Sequence, residues 1–446
     1  MVGWRHAAIP LALFAALAGA AGAQASPVLV IDGAGDGHGV GMSQTGAAGL
    51  ALHGFDAREI LAHYYTGTAV GRMAAEGSIS ILLQSGLRSV VFSGATRAGL
   101  RPLVSDRTYI ATRAANGEIA LRSERGRLLS YLAAPLEITS TSPIRFDGAA
   151  SSGVINGRYR GSLDVVEAGS RLDVINRLGL EAYLRGVVPA ESPSFWPSAE
   201  LEAQAIAARS YAIASPPQNG FDLYGDTRSQ DYGGYGAETA ATNAAVTATT
   251  GEVVTYAGKP VITYYFASSG GATEDVQDVF SGAPPEPYLT GVLDPFDATR
   301  FGPITLTMAQ ADRRLRGLLD GRLESIDVTQ RGVSPRVLSA NLVGSAGTTT
   351  VSGTALARAL RLPSTWDCFS VSSSMATLAA GWDRACARPT SLRRLVAETG
   401  PTGSTVGGAV APKGQSGSTG TTGPSGSSAP TGPTGTSAGG TVGPTP

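Results

Sequence analysis

Cysteine is almost absent from this chain of 446 residues: Cys368 and Cys386 are the only two. Such a pair supports a single disulfide if the protein meets an oxidising compartment. Closing a loop of that size contributes roughly 3 kcal/mol in the chain-entropy account. No histidine lies near the pair, which argues against a two-cysteine metal site. Histidine is scarce as well, with four in all. Beyond the first residues it occurs only as His38, His53 and His63, with no HExxH or CxxC spacing. Glu59 and His63 are an ordinary i,i+4 helical pair, so neither a metal nor another cofactor is expected. Excess charge is missing too: 34 basic residues against 35 acidic ones leave a net charge of −1. Nucleic acid calls for a basic face, and this composition offers no case for one. A neutral polymer such as a glycan fits it more readily. No Gly-X-Ser-X-Gly elbow supports a serine hydrolase.

Long apolar runs are confined to the start. MVGWRHAAIPLALFAALAGAAGAQA, residues 1–25, has a basic Arg5, an apolar core from Ala7 to Leu17 and small residues suited to cleavage. It reads as a secretion signal; the alternative, an uncleaved anchor, falls short of the ~20 apolar residues that span a bilayer. The expected location is extracytoplasmic, secreted or associated with a cell wall. At the other end, residues 389–446 are rich in Gly, Pro, Ser and Thr, with one charge, Lys413, and no aromatic. That composition cannot bury enough apolar surface to order itself. Glycine holds no strict three-residue period there, which argues against a collagen helix. The tail is either a thread through a wall or a linker remnant.

Between these ends, residues 28–388 read as one strand-rich α+β unit. GAAGLALHGFDAREILAHYY, residues 46–65, predicts a small-residue helix broken at Gly54, then a second helix capped by Asp56. Residues 77–180 alternate short apolar runs with turn residues, as in SISILL, SVVFSG, EIALRS and RLDVIN. This predicts antiparallel sheets or a small barrel, forming a lobe between the 28–70 segment and the 180–366 part. LEAYLRGVVPAESPSFWPSAELEAQAIAARSYAIAS predicts a short helix, a turn and a longer helix. Ser198 is its expected N-cap, and Glu200 and Glu202 should favour its dipole. EVVTYAGKPVITYYFA, residues 252–267, predicts a hairpin turning at Ala257-Gly258.

The sharpest chemical feature is Glu191 in VVPAESPSFWP, between Pro189 and Pro193 with Phe195 and Trp196 beside it. Burial near aromatic rings raises a carboxyl pKa and produces a general acid that works near neutrality; the competing reading is an exposed turn glutamate. Arg209, among alanines, is either a buried partner for a carboxylate or a ligand clamp. Tyr264, Ser268 and Ser269 in YYFASSGGATED either bind a polar ligand or end a strand. GDGHGVGMSQTGAAG, residues 35–49, places His38, Ser43 and Gln44 among glycines that let a backbone approach a sugar chain. His38 is expected at an exposed cleft.

These segments together resemble the SpoIID/LytB family, named for stage II sporulation protein D and the amidase enhancer LytB. The resemblance rests on residues 180–214, 242–275 and 37–68, and more weakly on 351–366. It implies peptidoglycan chemistry: lytic transglycosylases that cut peptide-stripped glycan strands, or modifiers of a cell-wall amidase. It implies Glu191 as the acid/base and a substrate groove lined by His38, Ser43, Gln44, Arg209, Gln230, Tyr232, Tyr264, Ser268 and Ser269. The rival is a wall-binding or amidase-enhancing module without turnover. In this family the GHGVGMSQ block follows YYFASSGG, whereas here it comes first, which implies a circular permutation placing His38 and Gln44 near Glu191. Some relatives carry metal ligands in the segment matching DLYGDTRSQDYGG; Gly225, Arg228 and Ser229 stand here instead, so no zinc is expected.

Overall fold

The computed structural model describes residues 26–73 and 77–372. The expected secretion signal at residues 1–25, the expected disulfide partner Cys386 and the tail from residue 389 lie outside the described residues. The strand-rich α+β architecture expected from the sequence is present, in several mostly antiparallel sheets.

The alternating segments between residues 78 and 179 build two sheets. One has seven strands, in the order Leu223–Tyr224, Ser78–Leu87, Arg171–Gly179, Ser162–Ala168, Leu136–Thr139, Arg97–Ala98, Arg101–Pro102. The other has six, in the order Leu128–Ala133, Glu118–Ser123, Tyr109–Arg113, Ser89–Ser93, Ile144–Asp147, Arg158–Tyr159. The side-chain period of two sorts residues between faces: Ile144 and Phe146 are buried and Arg145 is exposed, just as Leu136 and Ile138 flank exposed Glu137. Ile81, Phe92, Leu121, Leu163 and Val174 form one apolar core with Tyr183, Val187 and Ala208 from the helices. Leu128–Ala133, with weak alternation and no buried residue, carries little signal in the sequence.

Five helices matter to the site. α1 spans Gln44–Leu52 and α2 spans Ala57–Tyr64. Between them the chain turns at Gly54 with a φ of 89°, and Asp56 caps α2. Its carboxylate accepts from the amides of Arg58 and Glu59 while Glu59 accepts from the Asp56 amide, a reciprocal box. α3 spans Leu180–Glu191 and α4 spans Ser198–Ala214. α5 spans Ala240–Ala248.

Two expectations fail here. The turn expected at VVPAESP is helix: α3 runs through Pro189 to Glu191. Pro189 lies in the last turn, where one lost bond is tolerable, and the Ser192 amide still reaches the Val188 carbonyl at 2.9 Å. Pro193 then forces Ser192 into an extended conformation and ends the helix. Ser198 is not the N-cap of α4 but its first residue. Pro197 holds the cap position, and its carbonyl takes the amides of Glu200 and Leu201.

The hairpin of Glu252–Tyr256 with Lys259–Pro260 turns at Ala257 and Gly258, both at positive φ (50° and 78°). The chain then leaves it. Tyr265–Phe266 pairs in parallel with Met42–Ser43, which stitches the glycine-rich N-terminal segment to the strand after the hairpin. Val28–Ala34 pairs with both Arg300–Thr307 and Trp366–Ser372, so the described fold begins and ends in one sheet. Cys368 lies on the last of these strands. No helix among the described residues is long and apolar enough to cross a membrane.

Candidate active site

Glu191 is the last residue of α3, with its carboxylate half-buried among groups drawn from three other segments. Oε1 accepts the Asp231 backbone N–H at 2.8 Å and the Tyr265 hydroxyl at 3.4 Å. Oε2 accepts from Gln44 Nε2 at 3.3 Å. Burial first, and the Asp231 carboxylate second, push the Glu191 carboxyl up to about 7, against the three hydrogen bonds that favour its charged form. Such a group both gives and takes a proton near neutrality. Of the two aromatics expected to bury it, Phe195 is 85% exposed, while Trp196 is half-buried against the core.

A layer of buried amides and phenols holds this arrangement. Gln230 donates to the Tyr265 oxygen at 2.7 Å and to the Ala208 carbonyl at 3.3 Å, and accepts from Tyr183 at 3.2 Å. Gln44 Nε2 also reaches Gln204 Oε1 at 3.4 Å, which fixes the amide between α4 and the acid. Directly after the acid, Ser192 donates to Glu200 at 2.8 Å. Glu200 is wholly buried and pushed up to about 8 by that burial, so it offers α4 no charge for its dipole at neutral pH, contrary to expectation.

Of the residues expected to line a groove, Gln44 touches Glu191 directly, and Tyr264 is half-buried. The others serve different ends. Arg209 is 1% exposed and clamps Glu181 with two bonds of 2.7 Å. Its remaining donors go to the carbonyls of Ala205, Glu252 and Val246, so it is a structural pair and not a ligand clamp. Gln230 is buried at 1% exposure and acts behind Tyr265. Tyr232 is buried too, with its hydroxyl on Asn176 at 2.9 Å. Ser43 and Ser268 are turned inward onto Asp297 at 2.9 and 2.8 Å, and Ser269 onto Asp294 at 2.8 Å, where a ligand would meet no free hydroxyl. Against the burial that would raise it, the Thr299 amide first, then Thr45 and Ser268, hold Asp297 down to about 2. Asp294 beside it is pushed up to about 7 by burial and by Asp297.

His38, expected exposed, is half-buried. Its ring packs against Phe266 and Phe280, each 5.3 Å away between centroids, and Nδ1 accepts the Val40 amide at 3.1 Å. Burial and the Arg336 charge push it down to about 3, so it is neutral. Asp231 and Tyr265 carry no signal of their own in the sequence, although each adjoins a residue that does. Asp294 and Asp297 carry none at all.

Residues 168–256 match the family model described as stage II sporulation protein, SpoIID. The amidase enhancer of Bacillus subtilis is 37% identical over 131 residues, 29% of this chain and 18% of that protein. Stage II sporulation protein D of Bacillus amyloliquefaciens is 30% identical over 197 residues, 38% of this chain and 55% of that one. Over these stretches the chain is similar to the SpoIID/LytB proteins. An uncharacterized protein of Brachyspira hyodysenteriae shares 37% identity over 150 residues, 33% of this chain and 39% of its own. The chain thus spans between about a fifth and about half of the length of these relatives. The stretch matched by the family model contains Glu191, Arg209, Gln230 and Asp231, while Gln44 and Tyr265 join the site from outside it.

Proposed function

We propose that this protein is an extracytoplasmic peptidoglycan lytic transglycosylase acting on peptide-stripped glycan strands. The observation that carries the reading is Glu191 itself: a withdrawn carboxyl, pushed up to about 7, on a rigid helix end with both oxygens held. Protonated Glu191 gives its proton to the glycosidic oxygen as the bond to the muramic C1 breaks. The resulting carboxylate then takes the proton of the C6 hydroxyl, whose oxygen bonds to C1 of the same sugar. One carboxylate serves both steps, and an anhydro end replaces the water-derived one. The block from Gly37 to Thr68, ahead of the rest of the family segments, is on this reading a circular permutation, because its Gln44 completes the acid's environment. On this reading half-buried Tyr264 would line the substrate groove.

Denuded glycan strands incubated with the wild type and with Glu191→Gln test the proposal by mass spectrometry. Anhydro-terminated products from the wild type alone support it; their absence from the wild type refutes it. The kinship with an amidase enhancer favours a second reading, a wall-binding module that stimulates an amidase. Strands bound intact, with an added amidase accelerated equally by wild type and Glu191→Gln, would establish that reading.

A further inference from the structure

Glu191 has a second carboxylate beside it. Asp231 gives its backbone N–H to Glu191 Oε1 at 2.8 Å. Its carboxyl carbon is three bonds from that nitrogen, so it lies within about 7 Å of Oε1 in any rotamer. The Asp231 side chain is half-buried, and no described residue donates a hydrogen bond to its carboxylate. Neighbouring acids are treated differently: Asp226 is gripped by Arg228 at 2.8 and 2.7 Å, and Glu238 by Arg160 at 2.6 and 3.0 Å. An anion left without a counter-charge beside a proton donor acts on that donor.

We propose that Asp231 is a positioning residue for the acid: its N–H fixes one Glu191 oxygen while its carboxylate keeps the proton on Glu191 until substrate takes it. The inference rests on the reading of Glu191 given above. The other groups around Glu191 carry no competing charge near neutrality. Tyr183, Tyr211 and Tyr265 are phenols with raised pKa values, Gln44 is an amide, and Glu200, reached through Ser192, is held neutral by burial. The two carboxyls form a coupled pair: the Asp231 charge raises Glu191, and Asp231 is itself raised by its own burial and by Asp226.

Asp231→Asn keeps the backbone donor and the shape and removes the charge; Asp231→Glu keeps the charge. The readouts are kcat/KM on peptide-free strands from pH 4 to 10 and a 13C NMR titration of the Glu191 carboxyl, which needs no turnover. In Asp231→Asn the alkaline limb and the Glu191 titration should both move down by about half a pH unit or more. Activity above pH 8 then falls at least about threefold and stays within about twofold at pH 5. Asp231→Glu should restore the wild-type limb. A limb and a titration both unmoved in Asp231→Asn overturn the inference. Should that variant fail to fold, Asp231→Ser is judged by the same two readouts. Glu191→Gln, run alongside, separates the failures. If it still cleaves, the acid assignment falls and the titration alone judges Asp231; if it is inactive while the limb is unmoved, only the Asp231 inference falls.

Discussion

Arg209 is where the structure departs furthest from the ligand-binding expectation, and its replacement tests the difference. A guanidinium has five N–H donors, and here two charge-assisted bonds of 2.7 Å go to Glu181 while 3.1–3.4 Å contacts go to three carbonyls. Those carbonyls belong to α4, α5 and the Glu252–Tyr256 strand, so one side chain ties them to the first turn of the helix that ends in Glu191. Arg209→Lys keeps the charge but loses the fork. One charge-assisted bond is worth ~1.5–3 kcal/mol and each long carbonyl bond ~0.5 kcal/mol, for a loss of about 2–4 kcal/mol. Arg209→Met removes the charge and strands Glu181, which is 21% exposed, at a cost of about 3–5 kcal/mol. Against a total stability of ~5–15 kcal/mol, both losses are large. Urea unfolding followed by tryptophan fluorescence should rank wild type above Lys above Met, with glycan affinity of the folded fraction unchanged. A Lys variant that unfolds at the wild-type midpoint yet loses glycan affinity would show that the donors serve a ligand, and would refute the structural reading.

Stability should depend on pH through the buried carboxyls. Glu200 at about 8, with Glu191 and Asp294 at about 7, binds a proton more tightly folded than unfolded. Their contribution is complete below their unfolded values near pH 4 and is lost as pH rises through 7 to 8; Tm should fall between pH 5 and 9, and Glu200→Gln should flatten the fall. At Gly46 a Cβ would lie 1.9 Å from Asp294 Oδ2 and 2.2 Å from the Tyr64 hydroxyl. Gly46→Ala should therefore cost about 1–3 kcal/mol in urea unfolding, while Gly236→Ala, which meets nothing within 4 Å, should be near neutral. Gln44→Ala should lower kcat about tenfold and leave KM nearly unchanged, because Gln44 contacts the acid. A rise in KM alone would make it a substrate contact instead.

Residues close along the chain determined much of this protein by themselves. The Asp56 cap, the Ala257-Gly258 turn, the alternation of Ile144, Arg145 and Phe146, and the placing of Glu191 as a candidate acid were all legible, because caps, turns and side-chain periodicity are decided within a few residues. The helix through Pro189 was not, since proline's cost depends on which turn it occupies. Only the tertiary structure decided what surrounds Glu191. Its partners come from 147, 74 and 40 residues away, and Asp297 collects serines and a threonine from up to 254 residues away. Whether a serine, arginine or histidine faces a groove or a buried carboxylate depends on which distant segment packs against it. Sequence spacing carries no record of that packing, so Arg209 and Ser43 had the right chemistry for a binding site and were spent inside the protein.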